Sequence, residues 1–246
     1  MAGYGEFADV YDLLTENVPY DEIADYYCGM IQRFGCEGKL LLDMGCGTGN
    51  LTLRLAERGF DVIASDASAE MLSIACSKAG AEKVQFICQS MADTDLYGAV
   101  DIAVSTLDSV NHLDSAEDIA ECFVRTAANM NTGGLFLFDV NTIYKHRHIL
   151  ADNTFIYDVE GVYCAWSNTY DPEDDSVAIE LDLFYENEDG SYDRGYESFC
   201  EIALPQEEIS AMLTDAGFEV LGVYEYLTDS APTDESEKLM FVARKK

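Results

Sequence analysis

The sequence predicts an α/β protein built on a doubly wound parallel sheet that carries an antiparallel β insertion. Three observations lead there. Over the first 140 residues, short β-branched or leucine-rich runs alternate with amphipathic stretches, the rhythm of strands exchanging with crossover helices. From about 143 to 203 that rhythm gives way to strict apolar–polar alternation, as in "VAIELDLFYE" (177–186), the signature of antiparallel strands with one buried face. After 204 a helical pattern and two more strand-like runs follow. The expected organisation is a core unit over 1–142, the insertion over 143–203, and the rest of the core over 204–246.

Residues 4–34 read as helical, with Pro19 marking a break. Parallel strands are expected at 39–44, 61–66, 84–89, 101–106 and 134–140. Between the first two, "NLTLRLAERG" has apolar residues at 51, 53 and 55 and stops at Gly59; "SAEMLSIACSKAG" opens on a serine cap and ends in glycine. Within the insertion, "VYCAWSNTY" (162–170), "VAIELDLFYE" and "YDRGYESFCEI" (192–202) are strands, with "DPEDDS" and "NEDG" supplying turns. "LPQEEISAMLTDAGF" sets Pro205 at a helix start and Gly217 past its end. "EVLGVYEYLT" and "KLMFVARK" then close as an antiparallel hairpin around a polar loop.

With 246 residues, 48% of them hydrophobic, the chain needs no disulfides to fold. Its eight cysteines are scattered without a Cys-x-x-Cys pair, which reads as a reduced, intracellular protein. The opening "MAGYGEFADVYDLL" lacks a basic region followed by an apolar core, and no run of eighteen apolar residues occurs, so a cytoplasmic location and no membrane partner are expected. Fourteen basic against 47 acidic side chains give a net charge of −33, which repels polyanions. The densest basic clusters, "KHRH" (145–148) and the terminal "RKK", are too small to track a phosphate backbone, so no nucleic-acid partner is expected. Nothing in the sequence points to an oligomeric state.

The chemistry is concentrated in "LLDMGCGTGN" (41–50). A strand ending in Asp43 leads into Gly45, Gly47 and Gly49, where glycine permits positive φ and removes the Cβ that would block a ligand lying on the turn. The spacing G-x-G-x-G puts Asn50 where a dinucleotide fingerprint has its third glycine, and no Gly-Lys-Ser/Thr follows. The turn thus lacks a phosphate signature. Asp66 ends the second strand, 21 residues after Gly45, where a carboxylate accepts from ribose hydroxyls or caps the helix opened by "SDASAEM".

These blocks resemble the class I S-adenosylmethionine-dependent methyltransferases, specifically small bacterial members with an amino-terminal cap helix. "LLDMGCGTGNLTLRLAERG" and "VIASDASAEMLSIACSKA" carry the resemblance most specifically; "VQFICQSMADTDL", "DIAVSTLDSVNHL", "GGLFLFDVNT" and "EISAMLTDAGFEV" extend it. It implies a Rossmann-like seven-stranded sheet in the order 3-2-1-4-5-7-6, S-adenosylmethionine as cofactor, and a small-molecule methyl acceptor. By position, Asp43, Gly45, Cys46, Gly47 and Gly49 embrace the methionine part and Asp66 binds the ribose. Ala67, Met71, Ser90 and Met91 lie at the adenine, Ser90 standing where the family often has aspartate. Ser105 and Thr106 lie beneath the sulfonium, and Tyr4, Phe7 and Tyr11 close the site from above.

An acceptor that carries a proton must lose it before or during transfer. The candidates are Asp108, His112 and Tyr144, in "STLDSVNHLDS" and "NTIYKHRH". Asp108 is equally placed to cap a helix and His112 to pack, while His146-x-His148 lacks a third metal ligand, so no metal is expected. Between residues 151 and 200, fourteen Asp and Glu stand against Arg194 alone; if Glu180 and Asp182 face the cleft, an amine acceptor is favoured. Two rival readings remain at this level: a nicotinamide-dependent oxidoreductase and a non-catalytic cofactor-binding protein.

Overall fold

The computed structural model describes residues 5–246. Two helices come first, α1 (Gly5–Leu14) and α2 (Tyr20–Arg33), separated at Pro19. Five strands follow, β1 (Leu40–Met44), β2 (Asp61–Asp66), β3 (Gln85–Cys88), β4 (Val100–Ser105) and β5 (Met130–Asn141), with helices α3 (Asn50–Glu57), α4 (Ala69–Ser77) and α5 (Ala116–Ala128) among them. A short helix α6 (Ile143–Lys145) runs into one wide helical turn, His146–Leu150. The insertion strands are β6 (Thr154–Val159), β7 (Val162–Asp171), β8 (Ser176–Glu186) and β9 (Tyr192–Glu201). Helix α7 (Gln206–Asp215), β10 (Phe218–Glu225) and β11 (Lys238–Lys245) complete the chain.

The main sheet runs β10-β11-β5-β4-β1-β2-β3, the order 3-2-1-4-5-7-6 that the resemblance implies. β11 enters antiparallel to both β5 and β10. Both faces are buried, so each strand divides its apolar residues between two layers. Leu42, Ala103, Phe136, Phe138 and Phe241 meet Phe123 of α5 and Leu213 of α7 on one side. Leu41, Ile102, Leu135, Leu137 and Val242 meet Ile23 and Tyr27 of α2 and Leu55 of α3 on the other. Each fully buried Leu, Ile, Val or Phe among them contributes about 1.5 to 3 kcal/mol.

Several elements differ from the sequence expectation, which has no helical segment at Ile143–Lys145 and His146–Leu150. α5 is absent from it, although Ser115 caps this helix by accepting the Asp118 N–H at 3.1 Å. β6 is also absent: it is an edge strand whose residues alternate between exposed and half-buried, too weak a hydrophobic signal to read. β5 begins at Met130 rather than 134, its pairing with β4 interrupted by a register irregularity between Val100 and Ile102.

The insertion forms a separate antiparallel sheet, β6-β7-β8-β9. Val177, Ile179, Leu181 and Leu183 of β8 point inward and pack with Phe7, Ala8 and Val10 of α1 and with Met71 of α4. The cap helix, the insertion and α4 therefore share one apolar cluster. Among the described residues, no helix is long and apolar enough to cross a membrane.

Candidate active site

At the end of β1 the backbone turns through Gly45 (φ 70°), Gly47 (φ 54°) and Gly49 (φ 78°). The Gly45 and Cys46 N–H groups donate to the Ser65 carbonyl at 2.8 and 3.0 Å, stitching the turn to β2. A Cβ on Gly45 would stand 2.7 Å from that of Ser109, and one on Gly49 would stand 3.1 Å from that of Ala75. Nothing lies within 4 Å of a Cβ on Gly47, because the space beside it is a cavity. Asp66 accepts the Gly47 N–H on Oδ2 at 2.7 Å and the Ser68 N–H on Oδ1 at 2.8 Å. Burial raises its pKa, with those two N–H groups opposing. Asp43 is buried, its Oδ2 accepting the Thr52 hydroxyl at 2.6 Å and its Oδ1 without a partner. Burial pushes this carboxyl up to about 6.

The cavity, of about 1090 Å³, lies at the carboxyl ends of the strands and straddles the point between β1 and β4 where the winding direction reverses, the usual ligand position in open α/β sheets. Phe7 and Tyr11 of α1 line it together with Tyr157, Trp166 and Phe199 of the insertion, and Asp108, His112, Glu201 and Lys238 also border it.

That polar cluster rests on backbone strain. Leu107 (φ 55°) and Asp108 (φ 57°) are consecutive non-glycine residues in the left-handed region, a costly conformation. The buried Asp139 carboxylate holds them, accepting the Leu107 N–H on Oδ2 and the Asp108 N–H on Oδ1, both at 2.8 Å. Tyr27 donates to Asp139 Oδ2 at 2.9 Å, and Lys238 Nζ lies 3.1 Å from its Oδ1. Asp108 Oδ2 accepts from Asn141 Nδ2 at 2.6 Å, and its Oδ1 is engaged by no described residue. Burial works to raise the Asp108 pKa, and the charges of Lys238, Lys145 and His112 outweigh it and hold the group well below the ordinary carboxylate range. Glu201 sits between two histidines, Oε1 3.7 Å from His112 Nε2 and Oε2 3.4 Å from His146 Nε2.

Comparison with known proteins fits this geometry. A family model described as a methyltransferase domain matches residues 41–134. A protein of Geobacillus sp. (strain WCH70) that bears the name methyltransferase is 36% identical, the match covering 98% of this chain and 99% of that one. The crystal structure of an S-adenosylmethionine-dependent methyltransferase from Clostridium acetobutylicum superposes with a TM-score of 0.87 at 27% identity, covering 98% of both chains. The chain belongs to the class I S-adenosylmethionine-dependent methyltransferases. A glycine/sarcosine N-methyltransferase of Parasynechococcus marenigrum is 27% identical over 68% of this chain and 60% of its own length. The nicotinamide and non-catalytic readings therefore fall.

The residues fit the methyltransferase cofactor. The orphaned Asp43 Oδ1 suits a cationic amine, and the open side of Gly47 admits a ligand against the backbone. Each Asp66 oxygen keeps a lone pair for a hydroxyl. Cys46, Ala67, Met71, Ser90, Met91 and Thr106 also line the cavity. Ser90 uses its hydroxyl to accept the Ala92 N–H at 3.3 Å.

Other expected site residues stand elsewhere. Gly49 packs on Ala75 and does not line the cavity; its positive φ shapes the turn from behind. Ser105 is buried beneath the floor, its hydroxyl 3.5 Å from Met91 Sδ. Tyr144 lies outside the cavity lining because the turn after β5 sets its ring, tilted by 42°, against that of His148 at 4.7 Å; His146, two residues on, turns inward instead. Tyr4 lies outside the described residues. Glu180 and Asp182 project from the sheet face opposite Ile179 and Leu181, where Glu180 accepts from Tyr196 and Asp182 pairs with Arg194, so neither borders the cleft.

Sequence reasoning missed Asp139, Glu201 and Lys238. A signal for Glu201 exists: along β9 it falls in phase with Gly195, Glu197 and Phe199, on the covered face.

Proposed function

We propose that this methyltransferase acts on the nitrogen of a small-molecule amine. Asp108 carries the reading: an ionised carboxylate, fixed on a strained turn, with one oxygen that no described residue engages, in a cavity whose described lining holds nine carboxyl side chains against Lys238 as its one lysine. Such a site attracts a cation and disfavours an anion. The glycine/sarcosine N-methyltransferase relative, by its name, works on an amino nitrogen.

S-adenosylmethionine supplies an electrophilic methyl group on a sulfonium centre. Asp43 and the turn at Gly45–Gly47 hold its methionine part, Asp66 its ribose, and Ala67, Met71, Ser90 and Met91 its adenine, while Phe7 and Tyr11 exclude water from above. At the other end, Asp108 Oδ1 takes one N–H of the substrate ammonium. His112 accepts another of its protons, freeing the lone pair. Glu201, 3.7 Å from His112, stabilises the imidazolium so formed. Trp166, Tyr157 and Phe199 line the same cavity and supply aromatic surface that shields the reacting nitrogen from water.

The test is methyl-labelled cofactor incubated with panels of amines, carboxylic acids, phenols and thiols, the product identified by mass. Transfer to amines is expected. Asp108→Asn should raise KM for the amine about tenfold or more, from loss of a charged hydrogen bond, with S-adenosylhomocysteine affinity unchanged. Methylation of phenols or carboxylates with every amine untouched overturns the reading.

A further inference from the structure

His146 is fully buried, and its two ring nitrogens face opposite demands. Nδ1 lies 2.7 Å from the carbonyl oxygen of Asp175. A carbonyl only accepts, so Nδ1 carries a hydrogen. That carbonyl is fixed, because the Asp175 carboxylate grips the Arg147 guanidinium at 2.8 and 3.0 Å. A neutral ring would then show a bare lone pair at Nε2. Yet Nε2 lies 3.4 Å from Glu201 Oε2 and, among the described residues, makes no hydrogen bond. The same carboxylate oxygen accepts from Asn141 Nδ2 at 2.8 Å. The Asn141 amide cannot turn over to help, since its Oδ1 accepts from Lys145 Nζ, a pure donor, at 2.8 Å. Two buried lone pairs at that separation repel; one proton between them makes an ion pair.

We infer that His146 carries a second proton, shared with Glu201, and that this proton keeps Glu201 charged opposite His112. His146 is thus a positioning residue, reached through Glu201, for the amine chemistry proposed above, and its functional consequence rests on that reading. The groups around Glu201 agree. Burial raises its pKa, as does the charge of Asp108, while contact with His146, His112 and Asn141 outweighs both and leaves it below the ordinary glutamate range. Lys238 and Lys145 add positive charge from the side of Asp108. Without the His146 proton, a carboxyl buried to this degree would take up a proton itself and cease to stabilise an imidazolium at His112.

Two substitutions separate this role from packing. Asparagine sets an amide N–H where Nδ1 stands, and glutamine sets one where Nε2 stands. H146Q should keep kcat within about threefold, whereas H146N should lose about tenfold or more. In H146N, KM and S-adenosylhomocysteine affinity should hold while the acid limb of the kcat profile moves to higher pH. Equal losses in both variants, or losses that follow the melting temperature, overturn the inference. Nitrogen-15 spectra of the full-length wild-type protein near neutral pH, with His146 assigned by its absence in H146N, test the proton without any acceptor. Hydrogen on both ring nitrogens is expected; a bare Nε2 overturns the inference. If no amine is methylated, the amine reading fails and the spectra still decide this one.

Discussion

The Asp43 carboxylate closes β1 with Oδ2 on the Thr52 hydroxyl and Oδ1 buried without a partner. Its pKa is pushed by burial from 3.8 to about 6. A raised folded-state value means the protonated form favours folding. That contribution is complete below the ordinary value and is lost as pH rises through about 6, a penalty of about 3 kcal/mol at most above it. Asp43→Asn should therefore raise the melting temperature of the ligand-free protein near pH 8, the gain shrinking toward pH 5, and should weaken cofactor binding by removing the anion proposed to meet its amine. Calorimetry and thermal unfolding at the two pH values check this; equal stability at both with intact binding sinks it. Asp43 and Asp66 were legible in the sequence because one short turn, "DMGCGTGN", places them together. Asp139 and Lys238 were not, because their meaning lies in reaching Asp108 from residues 31 and 130 positions away in the chain. No local pattern records that convergence.

Helix α1 is held at two levels. Phe7, Ala8 and Val10 pack into the insertion cluster, and Asp12 reaches across to the start of α3. Its Oδ1 accepts from the Thr48 hydroxyl at 2.6 Å and from Asn50 Nδ2 at 2.8 Å, and Lys78 Nζ lies 2.5 Å from Oδ2. Since Thr48 and Asn50 flank Gly49 on the turn, the contact ties the cap helix to the backbone that faces the cofactor. Asp12→Ala should speed cofactor dissociation by about three- to tenfold, from loss of a few charge-assisted hydrogen bonds, with the unfolding midpoint of the main sheet little changed. Stopped-flow release of S-adenosylhomocysteine measures the first and chemical denaturation the second; unchanged release would make α1 packing alone. Removing residues 1–17 should go further and abolish binding while the two layers around the main sheet, which α1 does not enter, still unfold cooperatively. Strong periodicity made the parallel core and three of the four insertion strands readable. β6 escaped because an edge strand with one half-buried face has too little hydrophobic contrast.

Across the whole molecule, a net charge of −33 sets a negative field, and the fold decides where it is concentrated. The insertion's Glu180 and Asp182 lie on its outer face and spend their charge on Tyr196 and Arg194. Of the nine described carboxyl side chains that line the cavity, the insertion supplies Glu201 alone; Asp93, Asp114, Asp118 and Glu121 come from the core loops and α5. An acidic entrance was therefore expected from the wrong element, because alternation along β8 fixes two faces without saying which one meets the cleft. A cation approaching this entrance gains local concentration from several exposed charges, each screened within about 8 Å at physiological salt. For an amine acceptor, kcat/KM should accordingly fall by about three- to tenfold between about 0.05 and 0.5 M salt, mostly through KM, while an uncharged analogue shows little change. Neutralising the entrance with Asp114→Asn and Asp118→Asn together should flatten the salt dependence and leave kcat in place, since neither residue touches the Asp108–Glu201 cluster. Steady-state kinetics across that salt range decide it: a salt dependence that persists in the double variant would move the steering to the fixed charges of Asp108 and Glu201 themselves, and faster turnover of an anionic acceptor would remove it altogether.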